Sequence, residues 1–115
     1  MVEDHPVQRM AIAEALTEAG FEALEAGSAA EAIGVLEARS DIHLVFTDVE
    51  MPGTMDGVEL AHYIRNRWPP AKLIVVSGKG ALTADKLPSE AKFFTKPYRE
   101  ASIIETIASM LSAAG

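Results

Sequence analysis

Ile42-His43-Leu44-Val45-Phe46-Thr47-Asp48-Val49-Glu50-Met51-Pro52 is the stretch whose reading decides the fold. Residues 42–47 form a short, almost continuous apolar run rich in β-branched and aromatic side chains. That pattern predicts a strand covered on both faces, which belongs in a parallel sheet between helices. An acid, Asp48, closes the run, and Pro52 and Gly53 open a turn-forming stretch that continues to Gly57. The strand therefore delivers a carboxylate at its carboxyl end.

Outward from this strand the chain alternates between helical and strand patterns. Downstream, Val58, Ala61, Ile64 and Trp68 mark the inner side of a helix that Pro69 and Pro70 terminate. Residues 73–76 read as another buried strand and 93–95 as the last. A final helix follows with Ile104, Ile107, Ala108 and Leu111 inward. Between Gly80 and Ser89 the helical signal is weak, and a short helix over 81–86 is expected, limited by Pro88. Upstream, Ala11, Ile12, Ala15, Leu16 and Ala19 make the stripe of an amphipathic helix over 6–19, with Pro6 in its first turn and Gly20 at its stop. Residues 21–26 are a strand candidate. Ser28 and Glu31 read as a capping box for a second helix with Ala32, Ile33 and Leu36 inward. Regular β/α alternation predicts an α/β fold, a doubly wound parallel sheet with helices on both faces.

The composition agrees. A chain of 115 residues, 49% apolar and 23% charged, is expected to form one domain over 1–115. It has no cysteine, which removes disulfides and thiolate chemistry. The formal charge of −7 argues against direct nucleic-acid binding. No apolar run approaches the ~18 residues of a membrane span, and no signal-peptide pattern opens the chain, so a cytoplasmic location is expected. His5, His43 and His62 lack metal-ligand spacing. One element is too short: Glu3 and Asp4 should follow a first strand of about 5 residues, yet only Met1 and Val2 precede them. A central strand of that length would leave neighbouring ladder groups unpaired, and the first strand is therefore expected to be truncated, with the native chain beginning upstream.

In a parallel sheet the chemistry gathers at the carboxyl ends of the strands. The residues there are Glu3 and Asp4 after the first strand, Asp48 after the third, Ser77 after the fourth and Lys96 after the fifth. Carboxylates brought to ~4 Å repel by ~4 kcal/mol per pair at an effective dielectric of 20, so something must compensate. An all-oxygen donor set selects a hard ion, Mg²⁺ or Mn²⁺. With such an ion, a hydroxyl and a lysine around it, one carboxylate can act as nucleophile toward a phosphoryl group.

Val2-Glu3-Asp4, the run Thr47 to Pro52, Met55-Asp56-Gly57, Val76-Ser77-Gly78 and Phe94-Thr95-Lys96-Pro97-Tyr98 together resemble the receiver domain of two-component response regulators, in order and spacing along essentially the whole chain. The resemblance implies a flavodoxin-like (CheY-like) five-stranded sheet, order 2-1-3-4-5, with five helices. It implies that Asp48 is the phospho-acceptor. Mg²⁺ would be held by Asp4, Asp48 and the backbone carbonyl of Glu50, with Glu3 acting through water. Lys96 would pair with phosphoryl oxygens ahead of a cis peptide at Pro97, and Ser77 and Phe93 would be the hydroxyl and aromatic of the conformational switch. Gly78 would leave room for the phosphodonor. The implied partners are a sensor histidine kinase or histidine phosphotransfer protein, with an output domain or a second copy beyond. The implied activity is limited to the domain's own phosphorylation and dephosphorylation.

Two departures stand out. The loop 52–57 is one residue longer than the common form, and the segment 77–96 is short, which puts the fourth helix and the usual dimer face in question. Glu50 and Lys79 are each two residues past a strand end, and an ion pair between them would cover the phosphoryl group. Two other readings compete: a receiver-like interaction module that works without phosphorylation, and a phosphohydrolase of the haloacid dehalogenase type. The second is disfavoured because here the acid pair precedes the nucleophile.

Overall fold

A computed structural model describes residues 1–51, 53, 55–78 and 86–113, the last by its backbone alone. The deciding run forms β1, Leu44–Asp48. It pairs in parallel with β2, Lys72–Ser77, which pairs in parallel with β3, Lys92–Thr95. Val2 extends the sheet past β1 by bridging to Thr47 on one side and Ala26 on the other, both in parallel. The order across the sheet is therefore Ala26, Val2, β1, β2, β3, which is the expected 2-1-3-4-5 order.

The strand expected over 21–26 is realised only at that bridge. Its neighbour is Met1–Val2, so the ladder has three bonds. Ala26 N–H donates to the Met1 carbonyl (3.0 Å), Glu3 N–H donates to Ala26 (3.0 Å), and the Met1 ammonium donates to the Leu24 carbonyl at 2.8 Å. A strand holds its geometry through its partner, and here the partner is too short.

Four helices complete the described residues: α1, Pro6–Glu18; α2, Ala29–Ala38; α3, Gly57–Arg67; and α4, Glu100–Ala113. The helix expected at 81–86 lies almost wholly outside them. Side chains alternate across the strands as a pleat requires. Val45, Leu73 and Val75 face α2 and α3, where Leu36, Leu60, Ala61 and Ile64 meet them. Phe46, Ile74 and Val76 face α1 and α4, where Ile12, Leu16, Ile103 and Ile107 meet them. The expected inner faces shift by a residue in places. Ala13 is buried while Ala11 and Ala19 are exposed, Leu60 is buried where Val58 is only half-buried, and Ile103 replaces the exposed Ala108. Small alanines constrain a helix's rotation weakly, and the large side chains decide it.

Two caps set where helices begin. Ser28 Oγ accepts from Glu31 N–H, but Glu31 reaches back to the Gly27 amide rather than to Ser28, so the box is one residue wider than expected. At α3, Asp56 and Glu59 form a full reciprocal capping box. Gly57 then lies against the end of β1, its N–H on the Val49 carbonyl at 3.0 Å. A Cβ there would run into the Asp48 carbonyl and the Val49 Cα.

A candidate phosphoryl-transfer site at the carboxyl edge of the sheet

The register explains why distant residues meet. Val2 pairs with Thr47, so the next residues along, Glu3 and Asp48, are neighbours on one face; Asp48 pairs with Val76 and Val76 with Phe94. Lys96 lies two residues past Phe94 on that same face. Its Nζ donates to Asp48 Oδ2 at 2.6 Å and lies 3.6 Å from Glu3 Oε1. The Lys96–Pro97 peptide is cis, as the resemblance implies.

Carboxylate oxygens of Glu3, Asp4 and Asp48 lie within 4.8 Å of one another. Glu3 is 5% exposed and Asp48 2%. Each is held from behind: Glu3 Oε2 accepts from His5 N–H (3.0 Å), and Asp48 Oδ1 accepts from Glu50 N–H (3.3 Å). Burial pushes the Glu3 carboxyl up to about 7; the His5 amide works against that, and the charge of Asp48 adds to it. For Lys96, burial works to lower the ammonium, but the hydrogen bond and charge of Asp48, with Glu3 behind, outweigh it and hold the group above its ordinary value. One lysine against three clustered acids leaves negative charge uncompensated. The oxygens converge from two strand ends, which fits a hard divalent cation.

Ser77, 1% exposed, ends β2 and faces the α3 side together with Phe93, because Ser77 pairs with Thr95, two residues past Phe93. Phe93 packs half-buried against the cluster on that side. Ser77 Oγ donates to Glu50 Oε2 at 2.7 Å, and Gly78 N–H donates to Glu50 Oε1 at 2.8 Å. A Cβ on Gly78 would sit 3.9 Å from Lys96 Cβ and Cδ, in ordinary contact, so Gly78 adjoins the lysine.

Among the described residues, Glu3, Asp4, Asp48, Glu50, Ser77 and Lys96 thus gather at one edge. Lys79, the expected partner of Glu50, and the ion pair built on it lie outside the described residues. Sequence reasoning placed Glu50 at the border of the site but missed its hold on Ser77 and Gly78. It also missed Arg9, which donates to the Glu3 carbonyl (3.0 Å) and to Glu25 (3.3 Å) and so fixes the backbone of the acid pair. An arginine one turn into the helix that follows an acid pair was the available signal.

The family model of the response regulator receiver domain matches residues 1–108. The chain belongs to that family. Receiver domains are phosphoryl-accepting signalling modules, and this one is 30% identical to the response regulator receiver protein CpdR of Brucella abortus, over 99% of this chain and 96% of that one. It is 36% identical to a part of the sensor kinase CckA of the same organism, covering 96% of this chain and 12% of CckA. A crystal structure of a response regulator receiver protein from Sinorhizobium medicae superposes with a TM-score of 0.90 at 27% identity, over 99% of this chain and 93% of that one. This receiver domain therefore spans nearly all of some relatives and a small share of others. Among its described residues, no helix is long and apolar enough to cross a membrane.

Proposed function

We propose that Asp48 of this receiver domain takes its phosphoryl group from a phosphohistidine, on a sensor histidine kinase or a histidine phosphotransfer protein. The observation that carries this reading is the Lys96 ammonium 2.6 Å from Asp48 Oδ2, beside an acidic cluster suited to a divalent cation. A carboxylate oxygen of Asp48 attacks phosphorus as the P–N bond to imidazole breaks. The electron pair leaves with the imidazole, which takes up a proton, and an acyl phosphate remains on Asp48. Lys96 moves from the carboxylate to a phosphoryl oxygen and neutralises charge there. The Arg9-braced backbone holds the acid pair Glu3–Asp4 in place. Asp4, Asp48 and the Glu50 carbonyl would hold Mg²⁺, or Mn²⁺, with Glu3 acting through water. The ion supplies charge neutralisation for the transferred oxygens.

Reversal to the resting state is attack by water on phosphorus, which releases inorganic phosphate and restores the carboxylate. Ser77 and Phe93, on one face of adjoining strands, would carry the change to the surface beyond β3, toward an output domain or a second copy. The test is intact mass after incubation with a small phosphodonor, with Mg²⁺ or EDTA, on the parent and Asp48→Asn. A single Mg²⁺-dependent phosphoryl adduct, absent from Asp48→Asn, is expected. An adduct that survives in Asp48→Asn would put the acceptor elsewhere, and none on the folded parent would favour a module that works without phosphorylation.

A further inference from the structure

Glu50 spends both of its carboxylate oxygens on consecutive donors at the end of β2. Ser77 Oγ is at 2.7 Å from Oε2 and Gly78 N–H at 2.8 Å from Oε1. These donors are next to the acceptor. Gly78 adjoins the Lys96 side chain, whose Nζ is on Asp48, and Asp48 itself holds the Glu50 amide. An anion is thus already seated on a hydroxyl and a main-chain amide beside the carboxylate that receives a second, more highly charged anion. A phosphoryl group on Asp48 has three terminal oxygens to satisfy. Lys96 can serve one and a cation in the acidic cluster another; the hydroxyl and amide are two further donors beside them. A carboxylate oxygen and a phosphoryl oxygen ask for the same charge-assisted hydrogen bonds.

We infer that the Glu50 carboxylate is a built-in placeholder, which occupies the Ser77 hydroxyl and Gly78 amide in the unphosphorylated chain and must be displaced when Asp48 carries phosphate. The inference rests on Asp48 being the acceptor. Displacement has two parts: Glu50 gives up two hydrogen bonds, and its charge must tolerate or leave the neighbourhood of the phosphoryl group. Both oppose phosphorylation, so Glu50 lowers the occupancy reached at a given donor concentration. Through Ser77 it also ties the switch hydroxyl to the resting arrangement.

The two parts separate by substitution. Glu50→Asp keeps the charge but is shorter by one methylene and cannot bridge both donors. Glu50→Gln keeps the length and one acceptor oxygen without the charge. Glu50→Ala removes all of it. The probe is beryllofluoride with Mg²⁺, which mimics the phosphoryl group on the acceptor and is titrated by the fluorescence of Trp68 or by amide resonances. Glu50→Ala and Glu50→Asp should both bind it more tightly than the parent, Glu50→Ala by about tenfold, the order of one charge-assisted bond, and Glu50→Gln should fall between. In the ligand-free protein the Gly78 amide proton should lie downfield in the parent and move upfield in Glu50→Ala and Glu50→Asp. Equal affinities across the parent, Ala and Asp forms, with a normal Asp48 adduct by mass, would overturn the placeholder and leave the acceptor standing. A Glu50→Asp affinity equal to the parent's with a tighter Glu50→Ala would also overturn it, since charge alone would then act. Absence of any adduct on the parent would remove the acceptor reading and this one with it.

Discussion

At the carboxyl edge of the sheet Glu3, Thr47, Asp48 and Ser77 are buried, and each has a hydrogen-bond partner. At the other end, behind Val2, a cavity of about 250 Å³ is lined mainly by apolar side chains, among them Leu16, Leu36, Phe46 and Ile107, with Glu22, Glu25, Arg39 and Asp41 also on its wall. Both ends are served by the same strand position. Val2 satisfies the Phe46 carbonyl (2.7 Å) and the Asp48 amide (3.0 Å), and one residue further back the chain ends in an ammonium group on the Leu24 carbonyl. The polar end is therefore over-determined, since Asp48 is held by Lys96, by the Glu50 amide and by the approach of Gly57. The apolar end is under-filled, and residues 21–25 lack the ladder that would make them a strand. Hydrogen bonding needs only the right neighbours at one layer, whereas a core needs volume.

Filling the apolar end should produce the largest change. A chain lengthened ahead of Met1 by four apolar β-forming residues would bury about 2 kcal/mol per side chain, set against about 1.5 kcal/mol per residue of ordering. New ladder bonds to residues 21–25 and to β1 add about 1 kcal/mol each. The net gain of about 4 kcal/mol should raise Tm by roughly 15 °C or more. Amide protons of 22–24 should become slow to exchange. An unchanged Tm would mean that the cavity closes without a strand, and the contrast between the two ends would go.

The polar end should respond to a much smaller insertion. Gly57→Ala drives a methyl into the Asp48 carbonyl and Val49 Cα, both main-chain atoms that cannot rotate away. The helix gain from alanine is below about 1 kcal/mol and cannot offset this. A loss of about 3 kcal/mol is expected by urea denaturation, with slower phosphoryl uptake, if Asp48 is the acceptor, as α3 is pushed off β1. A neutral substitution would show that the α3 terminus backs away freely and that Asp48 is less tightly placed than its contacts suggest.

The contrast also explains what could be read from the chain. Strand ends in a parallel sheet align by register, so Glu3, Asp48 and Lys96 could be brought together from their positions after apolar runs, and Ser77 with them. The fold class followed from the same alternation. What could not be read depends on geometry past those ends. Glu50 is two residues beyond β1, where the course of the loop decides whether its side chain meets Ser77, Lys79 or water. Residues 21–26 have the composition of a strand, but whether they form one is decided by their partner and not by their own propensity. In α1 and α4 the positions that differ include alanines, whose burial is worth too little to choose a face.

The smallest effect tests this end of the sheet through the buried Met1 ammonium. Burial lowers the Met1 ammonium from 8.0 to about 6, with the charge of Glu25 acting in the opposite direction. Between these values the unfolded chain holds a proton that the folded chain has released, so stability must rise with pH across the window. Glu3 acts with the opposite sign. Its carboxyl, raised to about 7, keeps a proton in the folded state that the unfolded chain has lost, so its contribution falls as pH rises from 4.5 to 7. From pH 7 to 8 the Glu3 contribution still falls by about 0.4 kcal/mol while the amine contributes a gain of about 1 kcal/mol, leaving a net rise of roughly half a kcal/mol. Acetylating the amino terminus should abolish that rise and leave the Glu3 limb intact, as followed by urea midpoints across the range. A profile that does not rise from pH 7 to 8 before acetylation would show that the amine is solvated in the folded chain, and a rise that persists after acetylation would assign it to another group.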